Sequence, residues 1–285
     1  MLATQEELYP ECHRVRDQIS GRNETLYLEL RINIYVDMTF ICVYDNMDTR
    51  FFGPSAWQLF HLIAAKSPDP KVLFLQIKDI LPCKYCREST KQFTKELPYT
   101  GDAERWMYDL HNKVNHKLRK QSLQDPSVIA PVDSPSFEEV QKKYRTMKPS
   151  NIPGRDFLFA IAANYPEHPE ESDIHIQNQF LHSLASFYPF HPEIFTQYIQ
   201  TNPPALTTRK SYMKWMYGLL ESLTNAFQVE IPTYKGYVQR IMYYKSGCNK
   251  KTYRGKTCRR LDGGGRTKMR DTAKTYRISH MSLLF

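Results

Sequence analysis

The sequence lacks the features of several common protein classes. No run of about 18 apolar residues occurs, so no membrane-spanning helix is expected. Six cysteines among 285 residues are too few for a secreted scaffold built on disulfides. No G-x-G-x-x-G dinucleotide fingerprint is present, and the glycine run 263–265 follows no predicted strand. The hydrophobic content of 41% is nevertheless sufficient for a buried core.

The net charge of +9 is concentrated in a short tail. Residues 245–285 contain twelve Lys or Arg and two Asp, whereas residues 1–244 contain 27 basic and 28 acidic residues. The body of the chain is therefore close to neutral. The tail predicts a weak, salt-sensitive contact with nucleic acid or with an acidic partner.

Hydrophobic periodicity separates a strand-like beginning from a helical body. Residues 1–49 form an N-terminal extension in which the apolar pattern alternates over 26–40, the period of a strand. Pro54 is predicted at the start of the first helix, where its missing N–H costs nothing. Ser136 with Glu139 predicts a capping box at the start of the fifth. The predicted helices within residues 50–147 are 54–66, 70–81, 83–97, 102–120 and one from Ser136.

The landmarks of this helical region recur further along the chain, in residues 154–230. Ile63-Ala-Ala-Lys-Ser-Pro68 matches Ile161-Ala-Ala-Asn-Tyr-Pro166, and Trp106-Met-Tyr108 matches Trp215-Met-Tyr217 in the same order. This order predicts a degenerate helical repeat. Two unrelated helical hairpins are the alternative. Residues 231–285 then form a Tyr-rich and basic tail.

The most reactive motif is Cys83-Lys-Tyr-Cys86, directly after Pro82 at a predicted helix start. A helix N-terminus lowers the pKa of a thiol there, so the two cysteines are suited to act as a redox couple. A zinc site with His111 and His116 is an alternative. Its central loop is too long for a zinc finger, and the two histidines lie about 140° apart on a helix. A thioredoxin-like dithiol would need a βαβ setting, which this region does not predict.

Two helices carry stripes that mix aromatic and polar side chains. Trp57 and His61 are four positions apart on the first predicted helix. His111, Val114 and Asn115 share one face of the fourth. Because buried polar groups need partners, such a face suits a flat heteroaromatic ligand with hydrogen-bonding edges. An ordinary core is the alternative interpretation for either stripe alone.

Together these residues resemble the Erv/ALR family of FAD-linked sulfhydryl oxidases. The resemblance covers residues 50–146 and implies an all-α fold, a four-helix FAD-binding bundle with a short fifth helix. It implies an enzyme that forms disulfides in reduced protein thiol substrates and passes electrons through FAD to dioxygen, giving hydrogen peroxide. It further implies a homodimer. The motifs that carry it are Phe52-Gly-Pro-Ser-Ala-Trp57, Leu59-Phe-His61, Leu81-Pro-Cys-Lys-Tyr-Cys86, Trp106, His111-Asn-Lys-Val-Asn115 and the helix Phe137–Tyr144.

The resemblance also implies roles for individual residues. Cys83 would be the outer cysteine attacked by the client thiolate, and Cys86 would lie against the flavin. Gly53 would allow the first helix to approach the cofactor closely. The implied FAD-binding residues are Gly53, Trp57, His61, Cys86, His111, Asn112, Val114, Asn115, Lys117 and Lys120, with no metal ligand. In the second unit, Phe190, Glu193, Phe159, Leu220 and Glu221 replace Cys83, Cys86, His61, His111 and Asn112, so that unit is predicted to bind no cofactor.

Departures from the family pattern lead to further predictions. Arg119 replaces the usual glycine, so the fourth helix is expected to continue past it. Tyr108 occupies the position of a family disulfide cysteine that virus-encoded members often lack. This favours a virus-encoded member with an extra C-terminal helical domain, in the infected-cell cytoplasm or the virion. The mitochondrial intermembrane space is the alternative location.

The cysteines outside the redox motif suggest an electron shuttle. Cys248 and Cys258 lie in the Gly- and Lys-rich tail, where neighbouring cations would lower thiol pKa values. They are the predicted shuttle pair, with Cys12 and Cys42 as the alternative. A different class of function is a zinc- or nucleic-acid-binding structural protein that uses the CxxC motif and the basic tail.

Overall fold

The computed structural model describes residues 47–124, 128, 130–148 and 150–244, which fall within one compact unit. Most of the predicted strand-like extension, with Cys12 and Cys42, lies outside the described residues. The same holds for the basic tail with Cys248 and Cys258.

The described residues form ten α-helices and no β-strand, so the all-α prediction is confirmed for this part of the chain. None of these helices combines the length and apolar character needed to cross a bilayer. In chain order they are α1 Thr49–Lys66, α2 Lys71–Ile80, α3 Lys84–Glu96, α4 Ala103–Ser122, α5 Phe137–Thr146, α6 Arg155–Ala163, α7 Glu171–Phe187, α8 Pro192–Thr201, α9 Arg209–Phe227 and α10 Tyr234–Tyr244.

Helices α2 to α5 begin and end close to the predicted positions, because local signals set their ends. The capping box of α5 is formed: the Glu139 N–H donates to Ser136 Oγ at 3.2 Å, and the Ser136 N–H donates to Glu139 Oε2 at 2.8 Å. Helix α4 runs to Ser122, which confirms that it continues past Arg119.

The predicted start of the first helix at Pro54 is wrong. Helix α1 begins at Thr49 and contains Pro54, and the Asp48 side chain caps it by accepting from the Arg50 N–H at 2.9 Å. Phe51 and Phe52 are both buried. Burying two phenylalanines contributes about 1.5–3 kcal/mol each, which outweighs the cost of about 3 kcal/mol for an interior proline. Tertiary packing therefore extends the helix beyond its local start signal.

Helices α1 to α5 pack so that α1 is the centre of the first set. Helix α1 contacts α4 and α5, and α3 contacts α2 and α4. Leu62 of α1 packs with Val140 and Tyr144 of α5 in one buried cluster. Trp106 of α4 stacks on Phe74 of α2 with ring centroids 5.5 Å apart. This packing fixes the faces of α1 and α4 that look toward each other.

Helices α6 to α10 reproduce the bonding of the first set at the matched landmarks. The indole N–H of Trp106 donates to the Leu97 carbonyl at 2.9 Å, and that of Trp215 donates to the Asn202 carbonyl at 2.8 Å. The hydroxyls of Tyr108 and Tyr217 donate to prolyl carbonyls, those of Pro135 and Pro232, at 2.8 and 3.2 Å. The Leu97 and Asn202 acceptors lie in the connections that precede α4 and α9. The Pro135 and Pro232 acceptors lie in the connections that follow these two helices.

The two sets meet through corresponding helices, since α1 packs on α6 and α2 packs on α7. Ser55 Oγ of α1 accepts from the N–H groups of Asp156 and Phe157 at 3.2 and 3.4 Å, so it caps α6 from outside that helix. Gly154, the N-cap of α6, has φ +76° and no side chain for capping. A Cβ on Gly154 would lie 2.5 Å from Leu59 Cδ2. The close crossing of α1 and α6 therefore requires glycine at this position.

We expect Gly154→Ala to lower the free energy of unfolding by about 1–3 kcal/mol, because it adds backbone strain and a clash with Leu59. Gly101→Ala is the matched control, since Gly101 has φ +101° but a Cβ there meets no atom within 4 Å. Urea unfolding followed by circular dichroism measures both. Equal losses in the two variants would show that the crossing contact contributes nothing.

Candidate functional site

The two cysteines of the CxxC motif lie at the start of α3. Cys83 is the N-cap residue, and the Cys86 N–H donates to its sulfur at 3.3 Å. Both are free thiols. Cys83 is only 2% exposed, whereas Cys86 is partly exposed. In this state the accessible member of the pair is Cys86, although the resemblance implies that Cys83 is the outer cysteine.

The two thiols have opposite pKa shifts. The hydrogen bond from Cys86 lowers the pKa of the Cys83 thiol, and the backbone N–H groups of Cys86 and Tyr85 lower it further, against the effect of burial. The same bond to Cys83, together with burial, raises the pKa of Cys86 well above its usual value. The pair therefore loses its first proton from Cys83 and retains the second on Cys86. A thiolate beside a thiol is the arrangement that thiol–disulfide exchange needs.

Both ends of the described chain meet beside this motif. The Met47 N–H donates to the carbonyl of Pro82, the residue before Cys83, at 3.0 Å. The Asp48 N–H donates to the carbonyl of Tyr244, the last residue of α10, also at 3.0 Å. Met47 and Tyr244, the first and last described residues, therefore lie close to the redox motif.

A buried stack of rings forms the second feature of the site, with members from α1, α4 and α5. His61 Nε2 and His111 Nδ1 are 3.0 Å apart and share a hydrogen bond. The Trp57 ring stacks on His111 at a centroid distance of 3.9 Å and an interplanar angle of 6°. The Tyr144 ring stacks on His61 at 4.6 Å and 9°. The sequence predicted the first three members, which the structure brings together, but not Tyr144.

The sequence contains one indication that Tyr144 is buried. It lies four positions after Val140 on the short fifth helix, so the two share an apolar face. That spacing predicts contact with the bundle core but does not identify the ring that Tyr144 meets.

Both histidines of the stack are neutral at physiological pH. Burial, followed by the charge of Lys143, lowers the pKa of His61 to about 3. Burial, followed by His61 and Lys143, lowers the pKa of His111 well below its usual value. The shared hydrogen bond requires one ring to donate and the other to accept. The stack therefore offers uncharged ring surfaces.

Asn115 indicates a ligand with hydrogen-bonding edges. Its side chain is buried on α4, and its Nδ2 atom has no hydrogen-bond partner among the described residues. A buried amide without a partner is costly, and a bound group with an acceptor would satisfy it. At Gly53 of α1, a Cβ would meet no atom within 4 Å. These two observations fit a flat heteroaromatic group beside α1 and α4.

The remaining predicted site residues lie at different depths. Asn112 and Val114 are half-buried on α4, and Lys120 is exposed in its last turn. Lys117 points toward α3, where its Nζ donates to Ser89 Oγ. For the zinc alternative, no three metal-ligating side chains converge anywhere in the described part of the chain.

The corresponding position in the second set is apolar. Phe159 of α6 takes the place of His61, and its ring lies 4.7 Å from that of Tyr237 of α10. Leu220 of α9 takes the place of His111. All three side chains are fully buried. This position therefore has ring surface and methyl groups but no polar edge comparable with the histidine pair.

Comparison with known proteins supports a family likeness for part of the chain. The model of the Erv1/Alr family matches residues 54–133. The mitochondrial FAD-linked sulfhydryl oxidase ERV1 of Saccharomyces cerevisiae is 36% identical over 89 residues, covering 27% of this chain and 47% of that protein. The FAD-linked sulfhydryl oxidase ERV1 of Oryza sativa subsp. japonica is 32% identical over 81 residues, covering 24% and 42%.

The likeness is confined to the first set of helices. The chain spans a little under half the length of these two relatives. The matched segment contains the CxxC motif and three members of the ring stack, whereas α6 to α10 lie beyond it. No solved structure matches the chain.

The buried histidine pair predicts a loss of stability in mild acid. Because both folded-state pKa values are lowered, the unfolded state binds protons first as the pH falls below about 6.5. The stability that the two neutral histidines contribute is fully present above about pH 6.5. It is lost progressively as the pH falls, down to about pH 3 for His61. Between pH 7 and pH 5.5 we expect a loss of about 2 kcal/mol in the free energy of unfolding.

The double variant His61→Phe/His111→Leu, which copies Phe159 and Leu220 of the second set, should lose most of this pH dependence. His116→Gln is the control, because His116 is an exposed histidine on the same helix as His111. Urea titrations at the two pH values measure the difference. A double variant with the same pH dependence as the parent would contradict the assignment.

Proposed function

We propose that this chain is an FAD-dependent thiol oxidase that forms disulfides in reduced protein substrates, with dioxygen as the final acceptor and hydrogen peroxide as the product. The observation that carries the proposal is the position of Cys83 and Cys86. They form an asymmetric thiolate–thiol pair at a helix N-terminus, in the segment that is similar to FAD-linked sulfhydryl oxidases. When bound, FAD supplies the two-electron acceptor that reacts with oxygen.

The ring stack and Asn115 are the residues best suited to hold FAD. Trp57, His61, His111 and Tyr144 offer flat, uncharged surfaces, and Asn115 offers a buried donor. By resemblance, the site is completed by Gly53, Cys86, Asn112, Val114, Lys117 and Lys120. Trp57, His61 and His111 belong to the predicted FAD-binding set, so bound FAD would replace or extend some of the contacts among these rings.

The cysteine pair performs the exchange with the client. A client thiolate attacks Cys83 of the oxidised pair, so a mixed disulfide forms and Cys86 leaves as a thiolate. A second thiol of the same client then attacks the client sulfur of the mixed disulfide. The client disulfide forms, and Cys83 leaves. A thiol of lowered pKa is the better leaving group, which fits Cys83 in this second step. The client thereby loses two electrons to the cysteine pair.

Residues 154–230 are, in this proposal, a degenerate repeat without cofactor. The matched indole and hydroxyl hydrogen bonds at Trp106 and Trp215, and at Tyr108 and Tyr217, support it. Its helices α6 and α7 cover faces of α1 and α2. The homodimer implied by the resemblance would therefore need to use other faces of the bundle.

Two locations stay as predictions. The name of the yeast relative describes that protein as mitochondrial, which supports a mitochondrial location for this chain, with the intermembrane space as the predicted compartment. The tyrosine at position 108, in place of a family cysteine, favours a virus-encoded enzyme of the infected-cell cytoplasm or virion instead.

The central test combines flavin content with two cysteine variants. We expect purified protein to be yellow, with one FAD per chain. Cys86→Ser should abolish oxygen consumption with dithiothreitol while FAD stays bound. Cys83→Ser should also be inactive but leave Cys86 free, which a long-wavelength charge-transfer absorbance would reveal. Cys42→Ser is the control for removal of a thiol outside the motif and should keep the dithiothreitol rate.

Either of two results would overturn this function. Substantial oxygen consumption by Cys86→Ser would remove the cysteine from the electron path. A colourless protein that contains zinc would instead favour the metal- or nucleic-acid-binding structural alternative.

The described chain ends support a shuttle role for cysteines outside the motif. Cys248 follows Tyr244 by four residues, a reach of up to about 14 Å for an extended chain. The Tyr244 carbonyl is bonded to Asp48, whose neighbour Met47 is bonded to Pro82. Cys42 precedes Met47 by five residues. Tyr244, the last described residue, therefore lies close to the motif, and we propose Cys248 and Cys258, which follow it in the sequence, as the shuttle pair.

The double variant Cys248→Ser/Cys258→Ser should lose activity on a reduced protein client several-fold and keep its rate with dithiothreitol, which reaches the motif directly. The matched control is Cys12→Ser/Cys42→Ser, which removes the alternative pair. Oxygen consumption with both substrates measures the effect. Equal rates on the protein client for the parent and both double variants would leave these four cysteines without a shuttle role.

A further inference from the structure

Two cations are anchored on opposite sides of the CxxC motif. Arg87 lies four positions after Cys83, and its backbone N–H donates to the Cys83 carbonyl at 3.0 Å. Its side chain turns back along the first turn of α3, where Nη1 donates to the Leu81 carbonyl at 2.6 Å. The guanidinium is therefore held at the residue two positions before Cys83, on the N-terminal side of the motif.

The second cation comes from a different helix. Lys117 of α4 donates from Nζ to the hydroxyl of Ser89 on α3. Ser89 lies three positions after Cys86, so the two share one face of α3. The Ser89 hydroxyl also donates to the Tyr85 carbonyl at 2.6 Å, which fixes its position. The ammonium is therefore held on the C-terminal side of the motif.

We propose that Arg87 and Lys117 are positioning residues that stabilise the thiolate form of the Cys83–Cys86 pair and make its disulfide a stronger oxidant. Neither needs to touch the client or the flavin for this role. The resemblance also assigns Lys117 to FAD, and its bond to Ser89 places its ammonium on the helix that carries the dithiol.

Electrostatics agrees with this geometry. Beyond the hydrogen bond between the two thiols and burial, the charge of Arg87 favours a lower pKa for both cysteines. The charge of Lys117 acts in the same direction on Cys86. Of the neighbouring charged groups, the Lys84 ammonium lies 5.8 Å from the Tyr85 ring, and Asp48 pairs with Arg50 at 2.6 Å.

The effect on the redox couple follows from the balanced reaction. A client dithiol loses two protons and two electrons as its disulfide forms, and the Cys83–Cys86 bond breaks. Cys86 takes up one proton, the other goes to solvent, and Cys83 remains as a thiolate. A nearby cation stabilises only this charged product, so it shifts the equilibrium toward the reduced pair.

The first measurement is the alkylation rate of Cys83, followed by peptide mass spectrometry on the reduced full-length protein under anaerobic conditions. Iodoacetamide reacts with the thiolate, so its rate reports the ionised fraction at each pH. We expect Arg87→Gln to slow alkylation at pH 7 by about three- to tenfold and to move the pH midpoint upward. Arg87→Lys should keep most of the parent rate.

The second measurement is the equilibrium of the pair with glutathione buffers, read by the same peptides. Arg87→Gln and Lys117→Gln should each shift the equilibrium toward the disulfide, by up to about tenfold, which is about 30 mV for a two-electron couple. Lys117→Arg should behave as the parent. These measurements rest on the proposed function only in taking the pair as the redox centre, and neither needs oxidase activity.

Matched controls remove the same charge from the same helices. Lys91 of α3 pairs with Asp79 at 3.4 Å, and Lys113 of α4 pairs with Glu96 at 2.9 Å. Lys91→Gln and Lys113→Gln should leave both measurements at the parent values. The proposal is overturned if Arg87→Gln and Lys117→Gln match these controls. It is also overturned if Arg87→Lys is as impaired as Arg87→Gln, because the hydrogen bond and not the charge would then be responsible.

Discussion

The burial on all sides of one segment of α1 and of most of α6 is the constraint on which the rest of the structure depends. Six consecutive residues of α1, from Leu59 to Ala64, are buried, and so are seven of α6, from Phe157 to Ala163. A surface helix buries only one stripe, so helices of this kind need partners in every direction. Helix α1 finds them in α4, α5, α6 and α10. The second set of helices is therefore part of the environment of the candidate site.

Complete burial of the segment Leu59–Ala64 of α1 also determines the character of the ring stack. A histidine on such a helix cannot reach water, so His61 is neutral and must be paired within the protein. His111 supplies the hydrogen bond, and Tyr144 covers the ring. The equivalent helix α6 solves the same packing problem with Phe159, which needs no polar partner. The two replacements, Phe159 for His61 and Leu220 for His111, thus separate a site with a hydrogen-bonded histidine pair from one without it.

The dithiol, in contrast, lies at the edge of this core and is connected by hydrogen bonds to both ends of the described part of the chain. Pro82 accepts from Met47, and Tyr244 accepts from Asp48, so one short segment connects the motif with the end of α10. Buried backbone groups need such partners, and here the partners come from residues far apart in the chain. The same arrangement places Met47 and Tyr244, the first and last described residues, near the dithiol, which is the geometric basis of the proposed shuttle pair.

The sequence by itself determined the features that local rules control. The capping box at Ser136, the continuation of α4 past Arg119 and the position of Cys83 at the start of α3 depend on residues within one helical turn. The spacing within each helix likewise placed Trp57 with His61 on one stripe of α1 and His111 with Asn115 on one stripe of α4. Such signals act over three or four residues and are readable without the fold.

Only the tertiary structure decided which side chains meet across helices. Helix α1 starts before Pro54 because Phe51 and Phe52 are buried by distant partners. Tyr144 covers His61, and Lys117 reaches Ser89, through contacts between residues 83 and 28 positions apart. These contacts depend on the crossing of packed helices and on how their side chains interlock, which no pattern along a single helix specifies.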